Sequence, residues 1–225
     1  MASRNETVSL PLRGPLSLDR MMNDRPWDAR LARMMVRPLV DTPVHPNHIT
    51  TLGLLVGLAA AVSYAQGGRG ADWGAFLFAL AMLIDHGDGE LARLSGKTSA
   101  SGHTYDRIVD LVVKVGLFVG VGFGLSDGPL GAWAIPMGFL SGLSLAAIFA
   151  SRGAMAASRG PQVYEQPSFA GFELEDILYL IAPLTWLGGL PGFFSLCGVG
   201  IPAFAAFSVF QWWRTRSSQD SSAAG

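Results

Sequence analysis

Charge is scarce in this chain. Only 15% of the 225 residues are Asp, Glu, Lys or Arg, against about 25% in ordinary soluble domains. Cysteine is nearly absent: Cys197 stands alone, so an intramolecular disulfide and a cysteine-based metal knuckle are excluded. Cys197 lies in an apolar run and reads as a small packing residue. A basic excess is also missing. The net charge is -1, which argues against a nucleic-acid partner. No signal-peptide pattern is visible at the polar, Arg-rich and Pro-broken N-terminus. What the chain does have is apolar bulk: half its residues are hydrophobic, mean hydropathy is +0.35, and 28 are glycine. That composition predicts an all-α integral membrane protein.

Six stretches approach the roughly 20 apolar residues that a spanning helix needs. They cover about Ile49–Ala65, Trp73–Leu91, Tyr105–Leu125, Leu130–Ala150, Leu174–Leu187 and Gly192–Trp212. Arg4, Arg13, Arg20, Arg25, Arg30, Arg33 and Arg37 precede the first. Arg93, Lys97 and Arg107 flank the second connection, Arg152 and Arg159 the fourth, and Arg214 and Arg216 follow the sixth. The remaining connections hold only Arg69. The positive-inside rule then predicts six transmembrane helices with both termini in the cytoplasm. Before them, residues 26–37 place Trp27, Leu31, Met34 and Met35 at helical spacing, with arginines mostly elsewhere. This predicts an amphipathic helix lying in the membrane interface. Residues 1–20 and 217–225 are expected to be disordered tails around a single membrane domain at 21–216.

Into this apolar background the chain writes "LIDHGDGELAR", and shortly after it "GHTYDRIVD". Asp85 and Asp88 are three apart, and Asp106 and Asp110 four apart. Each pair therefore shares a helix face. A short loop of polar and small residues makes the two helices antiparallel neighbours, so four carboxylates converge at the cytoplasmic membrane edge. Four anions there repel and resist desolvation. Protonation, salt bridges with Arg93, Lys97, Arg107 or Lys114, or divalent metal would relieve them. Oxygen ligands favour Mg²⁺ or Mn²⁺, and two such ions suit phosphoryl transfer. Gly87 and Gly89 leave backbone bare where a nucleotide could approach. On carboxylates alone, an ion-pair network or a small cation transporter competes with catalysis.

The spacing of Asp85, Asp88, Gly89, Ala92, Arg93, Gly102, Asp106 and Asp110 resembles the signature of the CDP-alcohol phosphotransferase family, with all eight specified positions present. The resemblance implies that Asp85, Asp88, Asp106 and Asp110 hold a two-metal centre of Mg²⁺ or Mn²⁺, and that Asp110 is also the general base. It implies CDP contacts from Gly89, Arg93 and Ser99. "HPNHITTLG" resembles the family's Pro-Asn-x-x-Thr segment, which adds Asn47 and Thr50, with His48 and Ile49 contributing through backbone. The implied reaction moves a substituted phosphate from a CDP-linked donor, for most bacterial-type members CDP-diacylglycerol, to an alcohol, releasing CMP. The implied setting is the bacterial cytoplasmic membrane, with the site facing the cytoplasm and a homodimeric assembly. A membrane aromatic prenyltransferase also uses paired aspartates and Mg²⁺, but lacks this Gly-Ala-Arg spacing.

Other polar residues carry two readings each. Lys114 lies one turn past Asp110 and is expected to pair with it rather than bind an acceptor phosphate. Arg152 and Arg159 fit topology or an acceptor phosphate. Glu173, Glu175 and Asp176 fit a helix N-terminus or a cationic acceptor. His86 and His103 border the motif and read as bystanders more than ligands. Glu90 falls on an unspecified motif position and drops out of the cluster.

Overall fold

Every element of the computed structural model is helical; it describes the backbone of residues 27–159 and 174–223, and side chains over 30–157 and 177–216. Helix α1 spans Trp27–Val36 and is followed by a 3-10 turn at Arg37–Leu39. Helix α2 spans Pro46–Ala65. It opens on a cap in which the His45 N–H donates to His48 Nδ1 and the Asn47 N–H to His45 Nδ1, each at 3.3 Å. Pro46 takes the first helical position, where its missing N–H costs nothing. Helix α3, Arg69–Ser95, ends at Gly96, whose φ of 67° is the left-handed stop that glycine tolerates. Helix α4, Ala100–Gly124, is capped by Ser99, whose Oγ accepts from the Gly102 N–H at 3.0 Å.

A 3-10 turn at Gly131–Trp133 leads into α5, Ala134–Arg159. A 3-10 stretch at Leu174–Leu180 leads into the short α6, Ile181–Trp186. Helix α7 runs over Leu190–Ala223. Helix α2 packs along both α3 and α4, which touch each other much less; α5 packs on α4 and α7, and α1 on α3. The expected pairing of the second and third spans is thus mediated by α2. Glycine makes this possible. A Cβ at Gly120 would fall on the Ala61 carbonyl, one at Gly124 on the Tyr64 carbonyl, and one at Gly57 would lie 2.6 Å from Val113. Backbones approach where these side chains are missing, as in membrane helix pairs generally. Tyr64, fully buried, ties the bundle to α6 through its hydroxyl, 3.0 Å from Thr185 Oγ1.

Among the described residues, three helical stretches are long and apolar enough to cross a membrane: Pro46–Ala65, Gly131–Ala157 and Leu190–Arg216. Only about a third of each window is buried within the chain. The outward apolar faces, Leu143, Leu196 and Val199 among them, have no water-compatible role. The molecule is an all-helical membrane protein. Three sequence expectations change. The fourth span continues to Arg159, so Arg152 and Arg159 sit on a helix rather than in a loop. The fifth span is a 3-10 stretch at Leu174–Leu180 followed by a six-residue α-helix, rather than one continuous α-helix. The helix of the sixth span continues through 217–223, where a disordered tail is expected.

Candidate active site

Two short-range rules bring the acidic residues together: Asp85 and Asp88 share a face of α3, and Asp106 and Asp110 a face of α4. The tight link from Gly96 to Ser99 aligns the helix ends antiparallel. One oxygen from each of Asp85, Asp88 and Asp106 lies within 4.8 Å of the others. That separation, with hard oxygen donors on three carboxylates, fits a divalent ion such as Mg²⁺ or Mn²⁺. Asp110 stands outside this trio. Its Oδ2 accepts from Lys114 Nζ at 2.8 Å, the pairing expected from their one-turn spacing. The fourth carboxylate of the expected metal set is therefore held by a cation.

Thr50 sits behind the trio, buried. Its hydroxyl donates to Asp88 Oδ2 at 2.5 Å and lies 3.2 Å from the Pro46 carbonyl. A charge-assisted bond this short orients the carboxylate. Thr50 thus acts on an acidic side chain as well as bordering the pocket beside it.

That pocket, ≈ 150 Å³, opens between the N-terminus of α2, the end of α3 and the start of α4. It gathers Asn47, Thr50, Gly89, Arg93 and Ser99, five of the seven residues that sequence assigned to a CDP moiety, with Asp88 and Asp106 in its wall. His48 and Ile49 are not in its lining: His48 serves the α2 cap, and Ile49 lies towards Gly87. Gly102 earns its motif position here. A Cβ on it would come 2.9 Å from Ser99 Oγ and 3.3 Å from Asn47 Oδ1. A Cβ at Gly89 would meet the Arg93 guanidinium at 3.4 Å. Gly87, expected to leave room for a nucleotide, does something else: Val36 of α1 packs against it, 3.2 Å from where a Cβ would be.

Sequence reasoning missed Lys97 and Thr98 in the pocket wall and treated His103, also in the wall, as a bystander. Lys97 donates to the Thr42 and Val44 carbonyls at 3.3 and 3.2 Å, fastening the strand of chain that enters α2. No local rule names these acceptors, which lie 55 and 53 residues away in the chain. Glu90 was missed too. It is 1% exposed and accepts from Arg93 Nη2 at 2.8 Å.

A second cavity, ≈ 70 Å³, lies deeper and shares Thr50 with the first. Asp85, His86, Asp110 and Lys114 supply its polar wall, Phe78 and Val113 part of its apolar wall. Tyr179 reaches His86, hydroxyl to Nδ1 3.4 Å, and the same Nδ1 is 2.9 Å from the Met82 carbonyl. Arg152 stacks over Phe204, 5.4 Å from the ring centre. Glu173 lies outside the described residues, as do the side chains of Arg159, Glu175 and Asp176. Cys197 packs partly buried against the core, as expected.

The arrangement is an acidic, metal-suited trio between two pockets, one rimmed by Arg93 and helix N-terminal residues. The family model for CDP-alcohol phosphatidyltransferase matches residues 43–190, a span that includes both pockets. The chain belongs to the CDP-alcohol phosphatidyltransferase family. It is accordingly a membrane transferase of phospholipid biosynthesis, and its family is metal-dependent. The prenyltransferase and transporter readings fall away. A crystal structure of phosphatidylinositol phosphate synthase (PgsA1) from Mycobacterium tuberculosis, with CDP-DAG bound, shares the fold at a TM-score of 0.59 and 19% identity, over 82% of this chain and 91% of that one. No curated protein sequence matches the chain.

Proposed function

We propose that the chain transfers a phosphatidyl group from CDP-diacylglycerol to the hydroxyl of a small alcohol, releasing CMP. The observation that carries this reading is the ≈ 150 Å³ pocket, where Asn47, Thr50, Gly89, Arg93 and Ser99 meet the acidic trio. The solved relative, whose structure holds CDP-DAG, supports the choice of donor. Arg93 offers several N–H donors in a fixed fork, suited to a diphosphate. Asn47 and Ser99 suit the nucleoside side. Asp85, Asp88 and Asp106 would hold Mg²⁺ or Mn²⁺, and Asp110 is the fourth ligand that the motif proposes. When bound, the metal neutralises charge building up on the diphosphate oxygens.

The acceptor enters the deeper cavity beside Asp110. Its hydroxyl oxygen forms a bond to the phosphorus that bears diacylglycerol, and the bond from that phosphorus to the bridging oxygen of CMP breaks. Asp110 takes the hydroxyl proton. Lys114 holds Asp110 in place for that transfer. The lipid tails remain in the bilayer.

The wider proposal keeps six spans with both termini in the cytoplasm, a single domain at 21–216, and the bacterial cytoplasmic membrane with the site facing inward. The exposed Leu31, Met34 and Met35 of α1 suit a lipid interface. A homodimer completes it. The test is CMP release by purified protein given CDP-diacylglycerol, Mn²⁺ or Mg²⁺, and separately glycerol 3-phosphate, inositol, inositol phosphate, serine, choline or ethanolamine. Release with one acceptor supports the reading. No release with any of them overturns the phosphatidyl donor.

A further inference from the structure

We propose that Glu90 is a positioning residue: it fixes Arg93 at the mouth of the donor pocket and couples it to α1 through Arg33. This rests on the reading of Arg93 as the diphosphate contact. Glu90 is 1% exposed, far more buried than an unpaired glutamate tolerates. Its Oε1 accepts from Arg93 Nη2 at 2.8 Å, and its Oε2 lies 3.9 Å from Arg33 Nη1 on the neighbouring α1. One carboxylate is thus shared by two guanidinium groups, so these three side chains together carry one positive charge, set against Asp88 and Asp106 in the wall of the pocket that Arg93 lines.

The geometry around the pair supports the same role. Glu90 and Arg93 are three apart on α3, so the ion pair forms on one helix face. Gly89 clears the space beside them. A Cβ there would lie 3.4 Å from Arg93 Nη2 and 3.8 Å from Nη1, so the guanidinium lies close against bare backbone. Arg93 is 58% exposed on its own side chain, and an exposed arginine without such an anchor samples many rotamers. Glu90 takes one edge of the guanidinium and leaves its other N–H groups available for an anionic donor. Gly87 contributes from the other side. Its missing Cβ lets Val36 seat against α3, which brings Arg33, one turn earlier on α1, to Glu90. The interfacial helix is thereby part of the donor site.

The test is steady-state CMP release by Glu90→Gln, Arg93→Ala, Arg33→Gln and the Glu90→Gln/Arg93→Ala double variant, with the donor varied in mixed micelles. Glutamine keeps the shape of Glu90 and removes the charge. Glu90→Gln is expected to raise the donor KM about tenfold with kcat changed less than about threefold, because a lost ground-state contact appears mainly in KM. Arg33→Gln, on the more exposed partner, is expected to raise it about threefold. In the Arg93→Ala background Glu90→Gln is expected to add nothing, since both act through one guanidinium. Full additivity, a fall in kcat with unchanged KM, or a lower donor KM in Glu90→Gln would overturn the proposal. An unchanged donor KM in Arg93→Ala would instead remove the underlying reading of Arg93, and the proposal with it.

Discussion

Replacing Thr50 with valine removes one hydroxyl and keeps nearly the same shape. In this protein that hydroxyl is buried, 2.5 Å from Asp88 Oδ2, with a longer approach of 3.2 Å to the Pro46 carbonyl. The short bond is the dominant one. A hydrogen bond to a charged group contributes about 1.5–3 kcal/mol, and each 1.4 kcal/mol is roughly tenfold in an equilibrium. At 3% exposure, water does not replace the lost donor. The carboxylate then turns away from its two partners in the acidic trio. Loss of such an orienting partner weakens metal binding about 10- to 100-fold. The assay is CMP release against Mn²⁺ concentration at saturating donor and acceptor. Thr50→Val is expected to shift half-saturation upward by that factor, and Thr50→Ser to stay near wild type. A Thr50→Val protein that folds and titrates with metal like wild type would refute the assignment of Thr50 as the residue orienting Asp88.

Three more outcomes follow, the second with its control. Asp110→Asn is expected to lower kcat at least 100-fold, the usual range for a lost general base, with donor affinity in equilibrium binding within about threefold of wild type. Gly120→Ala drives a methyl into the Ala61 carbonyl and is expected to destabilise by about 1–3 kcal/mol, seen as a lower melting temperature in detergent. Gly200→Ala meets nothing within 4 Å and serves as the control, expected to be neutral or slightly stabilising. Lys97→Met removes both ties to the Thr42 and Val44 carbonyls and is expected to raise the donor KM more than fivefold, measured by the same CMP-release assay, because a hydrogen bond from a charged donor, about 1.5–3 kcal/mol, is lost at each.

The acidic trio was legible because helix periodicity is local: spacings of three and four residues fix a face wherever the helix sits. The same holds for the Asp110–Lys114 pair. Of the seven residues that the motif assigned to a CDP moiety, five line one pocket. What spacing does not carry is the third dimension. Gly87 and Gly89 look alike in sequence, yet one receives Val36 and the other borders Arg93, because α1 packs on only one side of α3. Glu90 dropped out of the sequence argument since no periodic rule names its partner Arg33, which lies 57 residues earlier on another helix. The fifth span is not one continuous α-helix, for a composition reason. Leu174–Leu187 is apolar enough for lipid, but Pro183 and the Gly188–Gly189 pair leave regular α-helix only at Ile181–Trp186. Helices α3 and α4 exceed the length a span needs, but charge lowers their apolarity, because each carries part of the acidic cluster.

The central claim is that Asp85, Asp88 and Asp106 form a metal-dependent centre that releases CMP from a CDP-linked lipid. The most direct measurement follows CMP release from CDP-diacylglycerol by wild type and Asp106→Asn side by side, with Mn²⁺, with excess EDTA, and with Mn²⁺ restored. The account predicts release by wild type that EDTA abolishes and Mn²⁺ restores, and no release above background from Asp106→Asn. Release that persists in EDTA, or an Asp106→Asn protein as active as wild type, would contradict it.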